Sequence, residues 1–410
     1  MTPFQAPVDA EIAVIGGGPA GLAAALALAR LGCDVTLLAP PYTQEQARTD
    51  TRTTALLTSS VSFMENIGVW QTCAPQSAPL AGVRIADDRG SLLHNPEVLF
   101  EAADLGMASF GANIPNAALT SALHAAAARS PNITRRVTSV TRVTPGPEAV
   151  RLDLEDGGTL NARCVAAADG RHSLARTAAR IAVRSWSYPQ SAVATTFHHD
   201  RPHNNLSIEL HRRSGPLTTV PLPGSASSLV WVEAPDEAQR LASLGGAEFA
   251  DALAERLQGA LGQISGVGPR AIYPLSGLRA ERMAAHRIAL VGEAAHVIPP
   301  IGAQGLNLGL RDAAALAECI ADARARGDDA GGESTMAAYH AARAGDVLTR
   351  SLSIDMLNRS LLTDFLPVEA LRSAGLHLLA SVTPLRRMAM RAGLGAAGPL
   401  PRLMQTGNSR

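Results

Sequence analysis

The chain runs to 410 residues, 46% of them hydrophobic, which suffices for one large core or for two domains sharing an interface. Its 36 basic residues, every one an arginine, balance 36 acidic ones, so the totals carry no basic footprint for nucleic acid. No apolar run reaches the ~18–20 residues of a membrane span, and the four cysteines (Cys33, Cys73, Cys164, Cys319) show no CxxC or metal-ligand spacing, which points to reduced thiols in a cytosolic protein and to no metal site.

In chain order, the N-terminal MTPFQAPVDA has neither the basic nor the apolar region of a signal peptide. EIAVI (11–15) reads as a short strand, GGGPAG as a turn, LAAALALARLG as a helix and DVTLL (34–38) as a second strand. A loop follows through 40–54, then a helix over 55–67 and short strands over 83–100 around DDRG. A helix is expected at 116–129, strands at 133–143, 149–154 and 160–168, and a strand-rich stretch at 186–233. Residues 236–260 read as helical. A strand at 287–292 leads through a Pro/Gly loop into a helix starting near Leu306–Asn307 and running to about Ala325. RGDDAGGES (326–334) reads as a linker and a boundary, and the last stretch as helices broken at Pro367, Gly375 and Pro384. Strand runs thus interrupt a nucleotide-binding fold that begins at residue 11 and resumes near 285, so the chain is expected to cross twice between a cofactor domain and an antiparallel-sheet domain.

Three motifs carry chemistry. Gly16-x-Gly18-x-x-Gly21 lies between a strand and a helix. There Gly16 permits a tight turn, Gly18 lets backbone approach a pyrophosphate and Gly21 lets helix and strand pack closely. This turn predicts a bound dinucleotide. The acid that usually ends the second strand to hold ribose is missing; Ala39 or Pro40 stands there, and Arg48, Asp50 or Arg52 on the following loop could substitute. The second motif, CVAAADGRHSLAR (164–176), delivers Asp169 and Gly170 from a strand; Asp169 could accept sugar or ribityl hydroxyls, or simply cap a helix. The third, ALVGEAAHVIPPIGAQGLNLGLRD (289–312), sets Gly292 and Glu293 after a strand. Pro299 and Pro300 offer a donor-free backbone to a flat ring, Gly302 and Gly305 allow close approach, and the helix N-terminus suits an anionic ring edge such as that of a reduced flavin.

These motifs, in this order, resemble the class A flavoprotein monooxygenases of the p-hydroxybenzoate hydroxylase fold, and within them the ubiquinone-biosynthesis 2-polyprenylphenol hydroxylase group. The likeness continues through DTRTTALLTSSVSFMENIGVW (50–70), FGANIPNAAL (110–119), YPQSA (188–192), GPLTTVPLP (215–223), LVW (229–231), YHAARAGDVLTRSLSIDMLN (339–358) and GLGAAGPLPRLM (393–404). It departs at Glu293, where the family has aspartate, at Pro299-Pro300, where the group has His-Pro, and at Ala303, where it has glycine.

The resemblance implies an α/β chain with a Rossmann-like FAD-binding domain in three parts (1–80, 101–180, 276–330). It implies an inserted antiparallel-sheet substrate domain (81–100, 181–275) and a C-terminal helical segment (331–410). FAD would be held by Gly16, Gly18, Gly21, Arg52, Asp169, Gly170, Gly292, Glu293, Pro300, Gly302, Gly305, Leu306 and Asn307. Tyr188 and Gln190 would stand near the substrate. The implied activity is hydroxylation of a phenol, polyprenylated and on the route to ubiquinone, with NAD(P)H and O2. A hydroxylase of a soluble aromatic or polyketide, or a silent flavin-binding scaffold in a ubiquinone-biosynthesis complex, are the rivals. His198, His199, His203 and His211 lack a tetrahedral spacing, and His296 is expected to bond locally. Arg372, Arg386, Arg387 and Arg391, among Leu and Met in 369–395, suit either an anionic membrane surface or a solvated core cover. A cytoplasmic protein, peripheral on the inner face of the membrane, is the expectation.

Overall fold

The computed structural model describes residues 8–43, 45, 49–87, 96–362, 366–395 and 398–407, with side chains at all of these except 366–372. Strand Ala10–Ile15 pairs in parallel with Thr159–Ala167 on one side and Val35–Ala39 on the other. Ile288–Leu290 and Ile133–Val137 extend the same parallel set outward. Burial on both faces explains why the central strands Ala10–Ile15, Val35–Ala39 and Ile288–Leu290 read as nearly unbroken apolar runs, whereas the edge strand Ile133–Val137 carries arginines and is largely exposed. Helix Pro19–Arg30 begins on a proline whose φ is already helical and then buries every residue from Gly21 to Ala29. Its small side chains let it lie close against the helix Gln304–Ala325. The chain leaves Ala10–Ile15 to one side through Val35–Ala39 and returns on the other through Thr159–Ala167, so the strand order reverses there, and the C-terminal end of such a strand is the usual seat of a ligand.

A second, nine-stranded sheet collects Gly82–Asp87 and Val98–Glu101, the strands from Val183–His199 to Ala271–Ala280, and the short His296–Val297. The strand Ala271–Ala280 runs through the boundary expected at 275/276. A three-stranded sheet of Thr53–Leu57, Ala78–Pro79 and Gly111–Pro115 has its strands interleaved in the chain with those of the two larger sheets. Trp231, Phe197 and Phe249 centre a separate core under the nine-stranded sheet.

Four expectations shift. Residues 53–57 form a strand before the helix Thr58–Asn66, because pairing with Gly111–Pro115 overrides local helix preference. Gly375 lies inside helix Leu366–Ser381 and breaks nothing, whereas Pro384 sits in the first turn of Thr383–Leu394. The stretch 326–334 is a packed turn. Asp329 pairs with Arg287 at 2.6 Å, and a Cβ on Gly331 would meet Arg163 O at 2.0 Å. Finally, the helix after the Pro/Gly loop starts at Gln304, not at Leu306–Asn307, because two successive left-handed residues, Gly302 (φ 64°) and Ala303 (φ 54°), turn the chain directly into it. Most of DDRG, and Arg48, lie outside the described residues.

Candidate active site

The glycine turn divides its work. A Cβ on Gly16 would stand 2.2 Å from Ala168 O, and one on Gly21 2.2 Å from Gly16 O, so both are required for packing the helix onto the strands. Gly18 is different: a Cβ there meets nothing within 4 Å, and the residue lines a cleft of about 670 Å³. Gly18 is also the N-cap of Pro19–Arg30 and offers no side-chain cap, so the first amides of the helix face that cleft unsatisfied. This is an anion seat.

The cleft is bounded by Gly17 to Gly21, by Pro40, Pro41 and Tyr42, by Asp50, Arg52 and Thr54, and by Gly292, Glu293, His296, Gly305 and Leu306. Asp169 lines an adjoining cavity of about 410 Å³ with Gly16 and His172, and Gly170 lines both. Asp169 Oδ2 accepts from the Ala175 amide at 3.1 Å, while Oδ1 is buried and unpartnered among the described residues. The cap of the following helix is Ser173, whose Oγ accepts from Arg176 N at 2.9 Å. Asp169 therefore steadies the helix start through Oδ2 and leaves Oδ1 without a protein partner among the described residues.

The third motif is anchored from behind. Gly292 has φ 62°, and a Cβ there would come within 3.0 Å of Ala20 Cβ. Its amide donates to Asp312 Oδ2 at 3.0 Å, and His296 Nε2 meets the same oxygen at 2.7 Å. Arg343 donates to Asp312 Oδ1 at 2.7 Å and to Asp346 Oδ2 at 2.8 Å, and Arg311 reaches Asp346 at 2.5 Å. All five side chains are buried. Burial alone would raise the Asp312 carboxyl, but His296 and Arg343 outweigh it and hold it low. Asp346, likewise opposed by burial, is pulled down to about 2 by Arg311 and Arg343. The network clamps the loop from Gly292 to His296 onto the helix beneath it. Glu293 alone in that loop points outward, exposed in the cleft.

Beyond Glu293 a third cavity of about 240 Å³ opens against the nine-stranded sheet, lined by Ala192, Ala194, Leu229, Tyr273, Pro299 and Pro300 among others. Arg52, Asn116, Glu293, Val297 and Ile298 line both it and the main cleft. Arg52 is gripped in a two-pronged pair by Asp50 (2.8 Å and 2.8 Å), and its guanidinium lies 5.4 Å from the centre of the Tyr273 ring. The Asp50 hydrogen bond is the chief reason its pKa rises.

Four expected residues line none of the three cavities: Gly302, which turns the chain into the helix, and Asn307, Tyr188 and Gln190, which bond elsewhere. Asn307 is fully buried and does not line the cleft; Nδ2 donates to Ala55 O and Ala303 O, and Oδ1 accepts from Leu57 N, so the side chain staples the helix to strand Thr53–Leu57. Tyr188 and Gln190 line none of the three cavities. Tyr188 donates to Asp355 at 2.6 Å, with its hydroxyl pushed up to about 12 by burial and by Asp355. Gln190 Oε1 accepts from Asn358 at 2.9 Å, so both tie the sheet to helix Glu333–Leu362. Of the histidines, His199 bonds Ser227 and the Arg201 carbonyl, His203 the Leu222 carbonyl and His211 Glu209. Sequence reasoning missed Asn116, Thr120 and His124, which share one face of helix Asn116–Arg129 at a spacing of four and line the cleft together. That spacing of polar residues on an alanine-rich helix was the available signal.

The family model described as FAD binding domain matches residues 9–348. The chain is 35% identical over 405 residues to ubiquinone hydroxylase UbiL of Rhodospirillum rubrum, covering 97% of this chain and 92% of that one. It is 29% identical to the 3-demethoxyubiquinol 3-hydroxylase of Escherichia coli, covering 94% and 98%. The crystal structure of p-nitrophenol 4-monooxygenase PnpA from Pseudomonas putida DLL-E4 shares the fold, with a TM-score of 0.77 at 19% identity over 96% of this chain and 100% of that one.

Proposed function

The chain belongs to the FAD binding domain family of FAD-dependent monooxygenases, and from that premise we propose that it hydroxylates a polyprenylated phenol intermediate of ubiquinone biosynthesis, with NAD(P)H and O2 as co-substrates. The observation that carries this reading is the junction of two cavities through Arg52, Asn116, Glu293, Val297 and Ile298, one walled by phosphate-type glycines and the other by an apolar sheet.

The residues present fit FAD. A Cβ at Gly18 would project into the cleft, the amides after it suit a pyrophosphate, and Glu293 offers a carboxylate to polyol hydroxyls. When bound, FAD supplies hydride acceptance and oxygen activation. The chain does the rest. Pro299 and Pro300 present backbone without amide donors to the cavity over which the ring edge would lie. The N-terminus of Gln304–Ala325, starting directly behind Gly302 and Ala303, carries positive partial charge and would stabilise negative charge on a reduced ring bound in front of it. Arg52, its charge largely balanced by the Asp50 carboxylate that grips it, sets guanidinium N–H donors at the mouth between the cavities. Ala192, Ala194 and Leu229 keep the substrate side apolar, which limits water at the reacting centre.

A polyprenyl tail needs lipid or a carrier. No helix among the described residues is long and apolar enough to cross a membrane. Leu348, Leu352 and Met356 are exposed at a spacing of four on helix Glu333–Leu362, and Leu378, Val382, Arg387, Met388 and Arg391 are exposed along the two helices that follow and the turn between them. This exposed set suits an anionic lipid surface of the cytoplasmic membrane. It is wider than the stretch 369–395, and Arg386 is not part of it, because Arg386 pairs with Asp104 at 3.2 Å. The side chain of Arg372 lies outside the described set.

The test is reconstitution with FAD followed by turnover of short-chain 2-polyprenylphenols. Phenol-stimulated NAD(P)H oxidation with formation of a hydroxylated product supports the proposal. A flavin-loaded protein that oxidises NAD(P)H equally with and without every phenol contradicts it.

A further inference from the structure

The carboxylate that ordinarily ends the second strand of such a fold and holds ribose is absent here, with Ala39 and Pro40 in its place. Asp50 does not stand in, since both its oxygens are taken up by Arg52. Beside Pro40 and Pro41 the cleft wall is instead made by Tyr42 and His124. Their rings stack with centroids 4.7 Å apart and planes 15° from parallel. His124 also lies against the phosphate turn. A Cβ on Gly17 would stand 3.6 Å from His124 Cε1 and 2.8 Å from Ala39 Cβ, so turn, strand end and imidazole converge at one spot. His124 Nδ1 is buried and has no hydrogen-bond partner among the described residues. Burial, and then the Arg135 guanidinium, push the imidazole below its ordinary value against an opposing hydrogen bond with the Gly17 backbone, which keeps it neutral and leaves one ring nitrogen able to accept a hydrogen bond.

We infer that His124, its ring steadied by Tyr42, holds the adenosine ribose of bound FAD in place of the missing carboxylate. This rests on the FAD reading above. A neutral imidazole accepts one hydrogen bond where a carboxylate accepts two or more, so the contact is the weaker of the two and serves one hydroxyl.

The test uses His124→Phe, which keeps an aromatic ring for Tyr42 and removes both nitrogens. Apoprotein is titrated by flavin fluorescence with FAD and, separately, with FMN, which lacks the adenosine. The expected result is a Kd for FAD raised about tenfold with the Kd for FMN unchanged. An unchanged Kd for FAD overturns the assignment. Equal weakening toward FAD and FMN overturns it too, because it would place the effect on the turn and not on the adenosine. A parent protein that binds neither flavin removes this inference and the FAD reading together, whereas tight FAD binding by both proteins removes only the role of His124.

Discussion

Replacing Gly18 by Val separates folding from cofactor binding at a single atom group. The backbone of Gly18 has φ −76° and ψ 171°, a region valine adopts without strain, and its Cβ position is clear of every protein atom to 4 Å. Replacing a glycine at a compatible site gains ~0.4–1 kcal/mol through the unfolded chain, and valine is a poorer N-cap than glycine by a similar amount. The apoprotein should therefore fold and melt within a few degrees of the parent. The added methyls occupy the space a pyrophosphate needs, and losing even one charge-assisted amide–phosphate bond costs ~1.5–3 kcal/mol, about 10- to 100-fold in affinity. Calorimetry of the apoproteins and fluorescence titration with FAD read the two effects independently. Gly21→Ala is the contrast, because its Cβ would lie 2.2 Å from Gly16 O and must cost stability with or without flavin. A Gly18→Val protein that keeps parental FAD affinity would refute the assignment of this turn.

Three further expectations follow from the same geometry. Glu293→Asp should retain flavin, whereas Glu293→Leu, which removes the exposed acceptor in the cleft, should lose ~1–3 kcal/mol of FAD affinity; equal affinity of the Leu variant and the parent by titration would show that the carboxylate faces elsewhere. Asp346, held at about 2 by Arg311 and Arg343 against an ordinary 3.8, contributes stability that is present above pH ~4 and lost as pH falls through 2, on the order of 2 kcal/mol. Asp346→Ala should destabilise by ~3–5 kcal/mol by stranding buried guanidinium groups, and a denaturation midpoint at pH 7 within error of the parent would contradict the clamp. Replacing Arg387 and Arg391 by Gln together with Leu352 and Met356 by Ser should weaken binding to anionic vesicles, with ~1 kcal/mol lost per arginine at low salt, and should leave flavin content unchanged; unaltered sedimentation with vesicles would remove this exposed set from the account.

Much of the fold was readable because its signals are local. The run EIAVI-GGGPAG-LAAALALAR specifies strand, turn and helix within about twenty residues, and the structure forms them as Ala10–Ile15 and Pro19–Arg30. The sequence is least legible where a distant partner decides the outcome. The resemblance sets Asn307 at the flavin, and the structure shows its oxygen accepting from Leu57, 250 residues away. Tyr188 and Gln190 stand near the substrate by resemblance, and their alternative reading, strand residues with satisfied polar tips, needs the partners Asp355 and Asn358 that only the folded long C-terminal helix brings to them. Residues 53–57 resemble a helix start and become a strand only because Gly111–Pro115 lies alongside. The stripe of Asn116, Thr120 and His124 was legible as spacing, but only the folded chain shows which turn it faces.

The central claim, FAD-dependent insertion of one oxygen atom into a phenol, is tested most directly by a single isotope measurement. The FAD-loaded protein is given NAD(P)H, a short-chain 2-polyprenylphenol and ¹⁸O₂, and the product is weighed by mass spectrometry. The account predicts a hydroxylated phenol carrying one ¹⁸O atom. A hydroxylated product whose oxygen comes from water, or NAD(P)H consumed with every phenol recovered unchanged, would contradict it.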